Sequence, residues 1–85
     1  MPKTPQEIVS AAYKYMSDVM HAQISKISNV RVEELTNRME EGKKIWNVVL
    51  GYDIAGDFPF EKTRELKQFR VDDEGIVLDM KIKKI

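Results

Sequence analysis

The closing segment, Phe69–Ile85, reads FRVDDEGIVLDMKIKKI and constrains the fold more than any other stretch. Ile76, Leu78, Met80 and Ile82 alternate with Asp79, Lys81 and Lys83. A period of two is that of a strand with one face buried and one wet. Before it, Asp72, Asp73 and Glu74 lead into Gly75, which fits a type I turn followed by a glycine at positive φ. Upstream of the turn, RELKQFRV places Phe69 and Val71 on the inner side of a partner strand. An isolated hairpin is marginal in water, so further strands and a covering element must come from the rest of the chain.

The cover is a helix. In TPQE, Thr4 can cap, Pro5 suits the first helical position, and Glu7 completes a capping box. Ile8, Val9, Ala12, Tyr15, Met16, Val19 and Met20 then fall on one broad arc at 100° per residue. Ser10, Lys14, Ser17, Asp18 and His21 fall opposite, which predicts one amphipathic helix over 5–23. Strands are expected over 30–39, 45–53, 64–72 and 76–84. In the first, the apolar parity changes between Val30/Val32 and Leu35/Met39, and a bulge near Glu33–Glu34 accounts for the change. The second strand follows a turn at Gly42 and carries Trp46, Val48, Leu50 and Tyr52 on one face. The expectation is an α+β domain, one N-terminal helix packed on a four-stranded antiparallel meander, because neither element can bury its apolar face alone. Its core is expected from Ile8, Ala12, Val19, Trp46, Val48, Leu50, Phe69, Val71, Leu78 and Met80.

At 85 residues the chain suffices for one small core, with little left to enclose an active-site cavity. Lysine and arginine total 14 and so do aspartate and glutamate, whereas a dedicated nucleic-acid binder shows a basic excess. No cysteine is present, which excludes disulfides and thiolate chemistry. The N-terminal stretch lacks the apolar run of a secretory signal, and a cytoplasmic protein is expected.

With the strands in place, VRVEEL, WNVVLGYD and RELKQFRVDDEGIVLDMKIKK together resemble small bacterial PepSY-like domains of the broader cystatin-like shape class. These often close on a hairpin of the form F-x-V-D-x-x-x-G-x-V, matched here by Phe69, Val71, Asp72, Gly75 (one residue early) and Val77. A looser resemblance, in helix-then-strands order and a basic last strand, is to the gas-vesicle accessory protein O family. The PepSY-like resemblance implies a non-enzymatic interaction or regulatory module acting on a protein partner, with no cofactor. The alternatives are a ligand-pocket protein or small enzyme of the cone-shaped cystatin-like type, and a weak nucleic-acid binder.

Candidate sites divide into charged and apolar groups. His21 is the only histidine, with Asp18 one helical turn before it, and both fall on the polar arc. Glu33 and Glu34 suggest paired carboxylates, but strand neighbours face opposite ways unless a bulge re-aims one. Asp72–Gly75 lacks the alternating oxygen ligands of a calcium loop and reads as a turn. Lys81, Lys83 and Lys84 form a basic strip of the kind that protects an exposed strand. No catalytic or metal residue is assigned. For partner binding, DFPF offers Phe58 and Phe60, which either plug an open sheet end or project as a contact tip. The second strand offers Ile45 and Val49 on its outer face. A strand apolar on both sides wants cover on both, so these two predict a homodimer through that face.

Overall fold

The chain begins its folded path with the predicted capping box. In the computed structural model, which describes residues 3–56, 58 and 60–83, the Thr4 hydroxyl accepts from the Glu7 N–H and the Glu7 carboxylate accepts from the Thr4 N–H. Helix α1 then runs Pro5–Val19. It stops four residues short of the predicted end because His21–Lys26 tightens into a 3₁₀ segment. Four strands follow: β1 Ile27–Glu40, β2 Lys43–Ala55, β3 Lys62–Asp72 and β4 Val77–Lys83. They form one antiparallel sheet in sequence order, β1-β2-β3-β4. The predicted α+β arrangement is therefore the observed one.

Each turn has its local cause. Glu41 and Gly42 both take positive φ (51° and 78°), giving the two-residue loop whose twist matches the strands it joins. Gly75 takes φ 86°, and the Asp72 carboxylate accepts from the N–H groups of Glu74 and Ile76. Acid and glycine together thus shape the last hairpin.

The core lies between α1 and one sheet face. Ile8, Ala12 and Met16 form a single buried row at i, i+4, i+8. They pack on Trp46, Val48, Leu50, Tyr52, Phe69 and Val71, all buried. Tyr15 closes one flank with its ring edge-on to Phe69 at 6.5 Å. The molecule measures 48 × 23 × 18 Å. Its long axis is set by the β1–β2 hairpin, while a 15-residue helix spans only about 22 Å. The helix therefore covers roughly half the sheet's length.

Two core expectations are corrected. Val19 is 54% exposed, because it lies beyond Met16, the last member of the buried row. Leu78 is 47% exposed, and here the cause is a register shift. Arg70 pairs with Asp79 but Val71 pairs with Val77, so Leu78 is the surplus residue of a bulge and Val77 takes the inward place. Ile76 is turned out by the same shift, at 60% exposed. Met80 remains inward, partly buried against the core. The bulge expected near Glu33–Glu34 is present, between Val32 and Glu34. A second irregularity, between Ser28 and Arg31, accommodates Asn29 at φ 53°.

Candidate functional site

The sheet face away from α1 is dressed in long charged side chains. Residue parity puts Ile45, Asn47, Val49, Gly51 and Asp53 of β2 on this face, with Gln68 and Arg70 beside them on β3. The Arg70 guanidinium donates to Asp79 on β4 and to Glu40 on β1, each at 2.9 Å. Arg38 donates to the same Glu40, at 2.9 Å. Gln68 donates its amide to Asn47 at 2.6 Å. Lys83, near the end of β4, reaches Glu34 on β1 at 3.0 Å. Arg64 joins Glu33 on β1 to Asp53 on β2, and Asn29 donates to the other Asp53 oxygen at 2.8 Å.

This network decides the fate of two predicted partner residues. Val49 is 1% exposed and Ile45 is 6% exposed. Val49 sits between Glu34 and Gln68 in register, and Glu34 is itself held by Lys83. The chain's own polar side chains, through their aliphatic stems, supply the cover expected from a second copy. Ile45 and Val49 are thus interior residues, not a surface patch.

The paired acids are explained in the same way. The bulge turns Glu33 and Glu34 to one face, yet each takes a different cation, Arg64 and Lys83. Gly51 makes room for the first of these pairs. A Cβ there would meet the Arg64 guanidinium at 2.7 Å and Glu33 Cγ at 2.8 Å. The hydrogen bond from Arg38 holds Glu40 below the usual carboxylate range, and Arg70 adds to the effect. Asn29 does the same for Asp53, helped by Arg64. Glu33, in turn, raises the Arg64 guanidinium further above its ordinary value.

A cleft of about 180 Å³ opens on this face among Arg38, Glu40, Asn47, Gln68, Arg70 and Lys81. Its two guanidiniums are already neutralised by Glu40 and Asp79. Lys81 makes no ion pair among the described residues. The arrangement is that of a solvated ion network, and the positive charge left to attract an anion is small.

On the helix side, one polar group of side chains interrupts the apolar face. The Tyr52 hydroxyl, buried beneath the end of α1, donates to Glu65 at 2.9 Å, with the Met20 sulfur 3.7 Å away. Burial, and then the Glu65 carboxylate, push the Tyr52 phenol well above its ordinary value. Lys67 lies alongside at 9% exposure, its ammonium 4.0 Å from Glu65. The cluster satisfies the hydroxyl of a buried tyrosine, as a core requires.

The remaining candidates are found at the surface. His21 opens the 3₁₀ segment and is exposed, as is Asp18. Phe58 and Phe60 stand at the tip of the β2–β3 hairpin, 56% and 83% exposed. Their rings stack on each other, centroids 5.7 Å apart and 10° from parallel. Of the two expected arrangements they take the projecting one and do not plug the sheet end. Asp57, Pro59 and Lys84 lie outside the described residues.

Among the described residues no group of three or more His, Asp or Glu is placed to hold a metal ion. No described helix is long and apolar enough to cross a membrane. Comparison with known proteins finds no matching family model, no matching curated protein and no matching solved structure.

Proposed function

We propose that this chain is a non-enzymatic protein-interaction module whose contact element is the aromatic tip of the β2–β3 hairpin. The stacked, projecting pair Phe58–Phe60 carries this reading. Exposed phenylalanine is costly to hydrate, and two rings side by side make an apolar knob at the end of the hairpin. Aromatic anchors supply a large share of binding energy when a partner's pocket desolvates them. The two rings already support each other, so less side-chain freedom is lost on docking than for isolated rings. The scaffold fits the role: a cross-strand ion network and a helix-covered core hold the hairpin that presents the tip.

The test is capture from native cells with wild type and with the double variant Phe58→Ser/Phe60→Ser. Both residues are exposed, so stability should stay within about 0.5 kcal/mol of wild type. A protein retained by wild type and lost from the double variant supports the reading. Equal capture by both, with the fold intact, overturns it.

A further inference from the structure

The two edges of the sheet are unlike. β4 is short, Val77–Lys83, and bears Lys81 and Lys83, devices that discourage a further strand from pairing. β1 is the longest strand, Ile27–Glu40, and its outer edge has no neighbour in the sheet. α1 leaves its helix-side face partly bare: Val32 is 47% exposed and Met39 66%. Those residues need cover that one chain does not provide.

The charges of β1 suit a second copy of itself. We propose that two copies join edge to edge through Arg31–Glu40 of β1, antiparallel, with Thr36 on the two-fold axis. From Thr36, Leu35 falls opposite Asn37 of the second copy, and Glu34 opposite Arg38. The bulge then matters. Val32 and Glu34 pair with the adjacent β2 residues Leu50 and Val49, so Glu33 is surplus in the ladder. Carrying that surplus to the free edge sets Glu33 and Glu34 together against Arg38, Val32 against Met39, and Arg31 against Glu40. Every charged residue in the stretch meets its opposite, and the two exposed apolar residues meet each other.

The faces agree as well. Val32 pairs with Leu50 and Met39 with Lys44, both on the helix side, whereas Glu34 pairs with Val49 on the outer side. Without the bulge, Val32 would oppose Glu40 on the wrong face. The acids Glu33, Glu34 and Glu40 already hold Arg64, Lys83 and Arg70 and would be shared with the second copy, whereas the two arginines are open to it. Arg38 is 75% exposed at its side chain despite its bond to Glu40, and Arg31 has no ion-pair partner among the described residues. A two-fold axis perpendicular to the sheet keeps both helices on one side and joins the strands into one continuous sheet. Such an isologous contact is closed, which prevents the open-ended pairing to which a long free edge is otherwise prone. It leaves the Phe58–Phe60 tips at the distal ends of the hairpins, so this joint stands independently of the tip's role.

Sedimentation of designed charge reversals tests the register. Wild type at high micromolar concentration should sediment at twice the 9.9 kDa of one chain. Arg38→Glu and Glu34→Lys should each sediment as monomers, since each sets like charges against each other at two symmetric places. Mixed in equal amounts, they should form a dimer again, because the new glutamate then faces the new lysine. A chain without native cysteine also permits Thr36→Cys, which should cross-link to itself under mild oxidation while Thr63→Cys, on β3, should not. A monomeric wild type overturns the proposal. So does a dimer indifferent to both reversals, or failure of Thr36→Cys to cross-link beyond the Thr63→Cys control.

Discussion

Lys83 Nζ lies 3.0 Å from Glu34 Oε2, tying the last strand to the first across the outer face of the sheet. The two residues are 49 positions apart in sequence and are brought together only when all four strands are laid down. With Arg70 bridging Glu40 and Asp79, and Arg64 bridging Glu33 and Asp53, they make the outer face a lattice of paired charges over a buried aliphatic floor. The second side of a doubly apolar strand is thus covered from within the chain.

Val49 tests whether that cover is real. Val49→Asp puts a carboxylate too short to reach water at a position that is 1% exposed. The monomer should lose about 3 kcal/mol or more, read as a lower urea midpoint. A surface patch would tolerate the same change within about 0.5 kcal/mol.

The bulge in β4 gives a paired prediction. Phe69→Ala, at a fully buried position, should cost about 3–5 kcal/mol. Leu78→Ala, at the bulge and 47% exposed, should cost less than about 1 kcal/mol. Equal losses in urea denaturation would mean that Leu78 points inward and that the register shift is absent.

Tyr52 predicts an alkaline limb. Its pKa is raised in the fold, by burial and by Glu65, so the folded state keeps a proton that the unfolded chain releases near pH 10. The contribution is whole below that pH and is lost as pH rises above it. Tyr52→Phe should remove about 1 kcal/mol near neutrality, with the loss of one hydrogen bond, and should flatten the decline in stability above pH ~10. Thermal melts of both proteins across that range check the slope.

At the acid end the sign reverses. Glu40 and Asp53 titrate below their ordinary values in the fold, held by Arg38 and Asn29 respectively. Their stabilisation is present above the unfolded carboxylate range and is lost as pH falls through the lower folded values. Arg38→Ala should therefore give a shallower acid limb than wild type, read as stability between pH ~5 and pH ~2. The same slope in both would mean that the Arg38–Glu40 bond does not persist in solution.

Local signals were the legible ones. The Thr4–Glu7 box, the turn at Gly75 and the inward face Trp46–Val48–Leu50–Tyr52 each rest on neighbours within a few residues. The bulge at Glu33 was legible because it reverses a parity in plain view. The bulge at Leu78 was not, since Ile76, Leu78, Met80 and Ile82 alternate without a break, and only pairing with Val71 selects Val77 instead. The outer face was misjudged for a related reason. Alternation shows that Val49 leaves the helix side, but not that Glu34, Gln68 and Lys83 converge there. Nothing local marks Gly51, although the room it leaves is filled by Arg64 and Glu33. Phe58 and Phe60 were legible as a pair of residues, but their stacking and outward direction depend on the loop's path in space.

The proposed contact role rests on the tip, and site-directed photo-crosslinking in native cells tests it most directly. Phe60, 83% exposed, is replaced by benzoyl-phenylalanine, and Ile76, 60% exposed at the opposite end of β3, serves as the control. A covalent adduct with a different protein, formed from position 60 and absent from position 76, is the predicted result. No adduct at position 60 above the control would contradict a contact role for the aromatic tip.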